Sequence, residues 1–315
     1  MKAIPAYLRL IDEKPALALF KYVNTIMHKE RPSPFTRVYG LSRSLLAIGT
    51  LLTLLFNPVD YIFVTSKSIH PAQLDFYKHI NLFYLVGFDH LVIAKMIAVI
   101  ILIIVISGYY PVVTGILHWW VSYSLFNAAV IVDGGDQITQ ILTFLFIPLT
   151  IMDPRPNHWT EPTKNYPYAN YIGGLILTLV RIQVSILYFN AGISKFSVPE
   201  WLNGTAMYYW LGNNTFGPAD YLRPFATLLT YNPIVVLLLT WGSILFEILL
   251  SASIFFSEKG KKRMLILGLM FHLFIFLFLG LGSFFFAMAG SLIIYLYPVK
   301  KPGNENGLLI RAAAV

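Results

Sequence analysis

The 315-residue chain has no cysteine, which excludes thiolate metal sites, a redox pair and a cysteine nucleophile. Charge is scarce as well. Only 12% of residues are Asp, Glu, Lys or Arg, against about a quarter in an ordinary soluble chain, too few to clothe a water-facing surface. There is no nucleotide-binding glycine loop, no His-Glu-x-x-His and no Gly-x-Ser-x-Gly, and no metal site is read. Internal repeats, low-complexity tracts and a separate soluble domain are missing. Residues 1–38 are mixed and charged, with no apolar core and small-residue cleavage site behind them, so no cleavable signal peptide is read.

What is present is apolar. Hydrophobic residues make up 57% of the chain, and the mean hydropathy is +0.67. The fold class expected is all-α, a polytopic membrane helical bundle of about eight spans, each needing roughly 17–25 mostly apolar residues. The spans are placed at about 39–56, 91–108, 111–132, 137–152, 168–190, 233–256, 264–280 and 283–297. The last two come from one run too long for a single crossing, divided at Gly280-Leu-Gly282-Ser283. Residues 7–28 place Ala16, Phe20, Val23 and Met27 on one face and read as an interfacial helix. The domain scheme is therefore a cytoplasmic interfacial segment (1–38), a membrane domain (39–297) and a cytoplasmic tail (298–315).

Orientation follows the basic residues. With the N-terminus inside, the inner segments hold sixteen Lys and Arg and the outer ones four, so both termini are placed in the cytoplasm of a bacterial plasma membrane. Lys259-Gly-Lys-Lys-Arg263 reads as the clearest inner loop. The net charge of +8 is thereby assigned to helix ends and the lipid bilayer, with no nucleic acid as partner.

Ionisable groups inside hydrocarbon are costly and each is a functional candidate. Arg181 and Glu247 fall near the middles of the fifth and sixth spans. They are expected to pair, with substrate contact as the alternative. Gln183 lies beside Arg181. His272 sits mid-span and reads either as a hydrogen-bonded core residue or as a working group, and His118 beside Trp119 and Trp120 likewise. Arg43 and Lys95 are read as snorkelling from helix ends. Asp89, His90, Asp133, Asp136 and Lys195 gather at the outer face. Lysine at a partly buried, aromatic-rich boundary is a residue able to serve as a base, with Tyr188, Trp201 and Tyr208 near it. The alternative is an interfacial anchor.

The segment Arg181-Ile-Gln183 … Leu187-Tyr-Phe-Asn-Ala-Gly-Ile-Ser-Lys195, followed by Trp201-Leu-Asn-Gly-Thr-Ala-Met207, resembles the signature of the HTTM domain, the superfamily of the vitamin K-dependent γ-carboxylase. Phe271-His272 … Leu279-Gly-Leu-Gly282 … Phe284 resembles that domain's closing helices. Two further stretches are similar to the sporulation-delaying protein B (SdpB-like) family. They are Val38-Tyr-Gly-Leu-Ser-Arg43-Ser onward to Asn57, and Asp153-Pro-Arg-Pro-Asn157-His158-Trp159. That resemblance implies a bacterial membrane factor for maturation of a secreted antimicrobial peptide. Its partners are the exported precursor and a small protein of the same toxin system. The carboxylase analogy implies Lys195 as the base toward a reduced quinone. Here Gly134-Gly-Asp-Gln-Ile138 lacks the His that the carboxylase has before its matching helix. Three functional classes stay open: a maturation factor, a carboxylase-like or quinone-linked enzyme, and a non-enzymatic immunity or transport protein with Arg181, Glu247 and His272 along a path.

Overall fold

The computed structural model describes residues 32–63, 76–213 and 217–297. The expected interfacial helix at 7–28 and the tail from 298 lie outside them. Regular structure among the described residues is helical, apart from a single β-bridge between Tyr109 and Asn157. Eight helices have fifteen or more residues: α1 (Arg37–Phe56), α2 (Leu91–Ser107), α3 (Pro111–Ala128), α4 (Gly134–Ile151), α5 (Pro167–Ser194), α6 (Pro233–Ala252), α7 (Glu258–Leu279) and α8 (Gly282–Leu296).

The boundaries have local causes. The Thr36 hydroxyl caps α1 by accepting from the Tyr39 N–H at 3.2 Å. Pro111, Pro167 and Pro233 open α3, α5 and α6, where a missing N–H is no loss. Gly108 and Gly280 end α2 and α7 at φ of 86° and 71°, a conformation that favours glycine. The long apolar run therefore does divide near Gly280. The basic run 259–263 is not a loop. It forms the start of α7, whose Ser257 cap accepts from the Gly260 N–H at 3.3 Å.

Among the described residues five helical stretches are long and apolar enough to cross a membrane: Arg37–Phe56, Phe88–Ser107, Pro167–Ser197, Pro233–Phe255 and Glu258–Leu279. α8 is apolar but short. α3 and α4 are diluted by Thr114, His118, Ser122 and Ser124, and by Asp136, Gln137, Thr139 and Thr143, most of which are buried.

The centre of the bundle is α8. It packs on α1, α4, α5 and α7, and nine of its residues are buried. Close backbone approach makes this possible. A Cβ on Gly49 would lie 2.8 Å from the Ser283 carbonyl oxygen, and one on Gly290 would lie 2.9 Å from that of Ser42. The Ser42 hydroxyl donates to the Gly290 carbonyl at 2.8 Å. Small residues and interhelical hydrogen bonds are the means of helix association where lipid tails remove the hydrophobic drive. The same device joins α3 to α4, since a Cβ on Gly115 would overlap the Thr150 side chain. Gly115→Ala is expected to destabilise the bundle by about 1–3 kcal/mol through overpacking. A melting temperature in detergent equal to the parent's would show that Thr150 turns aside at no cost.

Both long connections hold structure, as their aromatic, Pro and Asn content suggests. Residues 57–90 contain short helices at Val59–Ile62, Phe76–Ile80 and Leu82–Val86. The connection from α5 to α6 contains Pro199–Leu202, Ala206–Leu211 and Arg223–Tyr231. These wrap the early turns of α6 around a small core of Met207, Leu211, Ala226, Val236 and Phe278, and the Thr240 hydroxyl accepts from the Met207 N–H at 3.2 Å.

Candidate functional site

The last turn of α5 carries Lys195 into a short 3-10 turn, Lys195–Ser197. Its ammonium donates to Glu247 on α6 and to the Ala191 carbonyl at 3.0 Å. The side chains of Lys195 and Glu247 are only 18% and 11% exposed. Gly192 sets the register. A Cβ there would lie 2.8 Å from Ile248 Cγ1 and 3.3 Å from the Ile244 carbonyl, so only glycine lets α6 come close enough to bring Glu247 to the lysine. The chain then turns at Val198-Pro199 and folds Trp201 back, placing its ring centroid 5.0 Å from Lys195 Nζ. That arrangement adds a cation–π contact. Residues 233–246 precede Glu247 on α6, about 21 Å of helix at 1.5 Å per residue. Lys195 thus sits below a lobe of short helices and not at the rim of the bundle.

Seven residues back on the same face of α5, the Tyr188 hydroxyl and His272 Nε2 share a hydrogen bond of 2.9 Å. The His272 ring is enclosed by Phe271 and Phe284, with centroids 5.1 and 5.4 Å away. Its Nδ1 is buried without a protein partner. The Tyr188–His272 pair thus lies on the same face of α5 as the Lys195–Glu247 pair. Among the described residues no cluster of three or more His, Cys, Asp or Glu could hold a metal ion.

The structure assembles part of the expected set. Lys195, Trp201, Glu247 and His272 come together. Arg181 does not join Glu247. Its guanidinium donates to the carbonyls of Ile294 and Tyr297, both at 3.2 Å, at the far end of α8. The cause is the length of α5, which at 28 residues runs roughly 42 Å, so its midpoint is not level with Glu247. The path of Arg181, Glu247 and His272 is therefore not assembled. Gln183 is half-buried and about 18 Å along the helix from Lys195. Asp133 and Asp136 serve the start of α4. Asp133 Oδ1 accepts from the N–H groups of Gly135 and Asp136 at 2.7 and 3.0 Å, and Asp136 Oδ2 accepts from the Asp133 N–H at 3.1 Å. Asp89 and His90 are exposed.

Two residues depart from the expected surface role or were not singled out. Arg43 does not snorkel; it is 1% exposed and lies inside the bundle. It meets His158 of the 153–159 segment, which is 0% exposed. Lys95 does reach a helix end, donating to the Asn57 carbonyl at 2.9 Å.

Comparison with known proteins identifies the family. Residues 160–299 match the HTTM domain. The chain is 38% identical over 284 residues to the sporulation-delaying protein SdpB of Bacillus subtilis (strain 168), covering 87% of this chain and 85% of that protein. It is 36% identical over 281 residues to the uncharacterized protein YitO of the same organism, covering 87% and 90%. No solved structure matches. With its apolar helices and this extent of similarity, the chain is a membrane protein that belongs to the SdpB-like family of HTTM-domain proteins.

Proposed function

We propose that the protein acts in a sporulation-delaying-type toxin system, as an eight-span membrane factor for maturation of an exported antimicrobial peptide. Its termini lie in the cytoplasm and its working site lies toward the outer side. The relative named as a sporulation-delaying protein supports the system. The observation that carries the site is the ion pair of Lys195 and Glu247 beneath Trp201. A largely buried pair of opposite charges is expensive to build in a bundle surrounded by hydrocarbon, and this one adjoins the lobe of short helices where an exported peptide would arrive. The precursor and the bilayer are its partners, together with a small protein of the same system.

The test is peptide maturation in cells that carry the precursor. Lys195→Ala is expected to abolish it at equal protein level. Lys195→Arg keeps the charge but changes its shape and removes an accessible neutral form. Maturation at the parent rate in Lys195→Arg excludes lysine as a base and leaves a binding role. Maturation at the parent rate in Lys195→Ala removes the site altogether. The orientation is tested by a reporter fused at Val315, which should be active only in the cytoplasm.

The unpartnered Nδ1 of His272 favours a second reading, a quinone-linked enzyme. Lys195 and His272 would hold the oxygens of a reduced quinone among Trp201 and Phe284. The reduced, hydroquinone form would supply the electrons and would itself be oxidised to the quinone. A quinone copurifying with the parent protein and lost from His272→Phe would favour this reading over the first.

A further inference from the structure

A second polar cluster lies at the other end of the bundle, near the start of α5, and the site at Lys195 makes no use of it. It joins the two sequence stretches that resemble the SdpB-like family, Val38–Asn57 and Asp153–Trp159. Arg43 Nη2 donates to Thr114 Oγ1 on α3 at 3.2 Å, and Nη1 to His158 Nδ1 at 3.1 Å. Ser44 Oγ and His158 Nε2 are 3.3 Å apart. Arg155 forms a fork on Asp153 at 2.8 and 2.7 Å and also donates to the His158 and Thr160 carbonyls, both at 2.9 Å.

The charges in this cluster do not balance. Arg155 takes up Asp153, and both side chains are essentially buried, at 1% and 0% exposure. Both hydrogen-bond acceptors of Arg43 are neutral. Among the described residues the buried carboxylate of this cluster is Asp153, and it is matched by Arg155. Among the described residues Arg43 also faces Tyr39, one turn before it on α1, whose ring centroid is 6.0 Å from the guanidinium carbon, and His118 on α3. The Tyr39 hydroxyl and His118 Nε2 are both buried without a protein partner. A buried guanidinium whose hydrogen-bonded acceptors are both neutral is costly where, among the described residues, no unmatched carboxylate faces it. Two orphaned polar atoms on neighbouring side chains add to that cost. One singly charged acceptor would answer all three.

The geometry points to an oxyanion-binding site centred on Arg43, taking a singly charged carboxylate or phosphate group. The guanidinium supplies charge, while Tyr39 and His118 supply neutral hydrogen bonds. The cover is the 153–160 loop, not a helix. It is fixed by His158 N–H to the Gly108 carbonyl at 2.9 Å, Asn157 Nδ2 to the Ser107 carbonyl at 3.1 Å and Trp159 Nε1 to the Ile106 carbonyl at 3.1 Å. Access therefore needs displacement of a loop and leaves the helix packing intact.

The full chain is melted with acetate or inorganic phosphate replacing chloride at constant ionic strength, and in lipid nanodiscs of phosphatidylglycerol or phosphatidylcholine. A saturable rise in melting temperature with acetate or phosphate supports the site, with a free anion as the source. A rise confined to phosphatidylglycerol supports it with a lipid headgroup as the source. In either case Tyr39→Phe, which removes one hydroxyl only, is expected to raise the half-saturating concentration about tenfold, and Arg43→Gln to abolish the response. No rise under any of these conditions overturns the proposal. So does an unaltered response in Tyr39→Phe and Arg43→Gln.

Discussion

Replacing Glu247 by alanine is expected to destabilise the bundle by about 3–5 kcal/mol, because it strands the Lys195 ammonium in a largely buried place. The double variant Lys195→Met, Glu247→Leu removes both charges and fills their volume with apolar atoms. Its melting temperature should return close to the parent's, since buried pairs are often replaced by hydrophobic side chains without loss. Peptide maturation should not return. The contrast separates two roles that single substitutions confuse. If the ion pair only braces α5 against α6, the double variant will be both stable and active, and the proposed working site then fails. If the pair meets the precursor, stability and maturation part company. Trp201→Ala supplies an intermediate case, because it removes the ring over the ammonium without stranding a charge.

The second large effect concerns acid. His158 lies in the loop between α4 and α5, and burial, with Arg43 and Arg155 adding to it, pushes its imidazole from an ordinary 6.5 down to about 3. The unfolded chain binds a proton at this residue below about pH 6.5, whereas the folded chain stays unprotonated until about pH 3. Between those values the unfolded state holds more protons, so stability is full above pH 6.5 and falls as pH drops toward 3. At about 1.4 kcal/mol per unit the total is roughly 4–5 kcal/mol. Unfolding measured from pH 7.5 down to pH 4 should show that slope, and His158→Asn should flatten it. A parent profile flat across this range would mean that the loop opens to water and His158 is not held in the arrangement described.

Helix positions were legible because their signals are local. Pro111, Pro167 and Pro233 start helices, Gly108 and Gly280 stop them, and the apolar runs between are of spanning length. The N-terminal boundary of α7 was misplaced for a local reason as well. A lysine run reads as a loop, yet Ser257 caps it into a helix that carries its charges on the first turns. What a single sequence does not carry is relative depth. Arg181 and Glu247 each fall near the middle of the spans read from the sequence, but Glu247 is only five residues from the C-terminal end of α6 and α5 continues well past that end, so the carboxylate meets Lys195 instead. The Arg43 cluster was hidden differently. Its partners stand 71 and 115 positions away, and nothing at residue 43 distinguishes a buried guanidinium from one that reaches a helix end. Both halves of the cluster did stand out as family-like stretches. The resemblance marked them separately, and only the fold shows that they touch.

The central place of α8 bears on how the molecule is made. Synthesis delivers helices in chain order, and the one that fills the middle comes after seven others. Until it arrives, α1, α4, α5 and α7 border a gap whose walls include Gly49 and Gly268, shaped for Ala287 and Leu292 of the missing partner. A nascent chain halted before residue 282 would hold inserted helices with no common centre. Final closure around α8 is therefore expected late in synthesis. Changes at Gly49, Gly268 or Gly290 should therefore act first on yield, by lengthening the life of the open intermediate, before they alter anything the finished protein does.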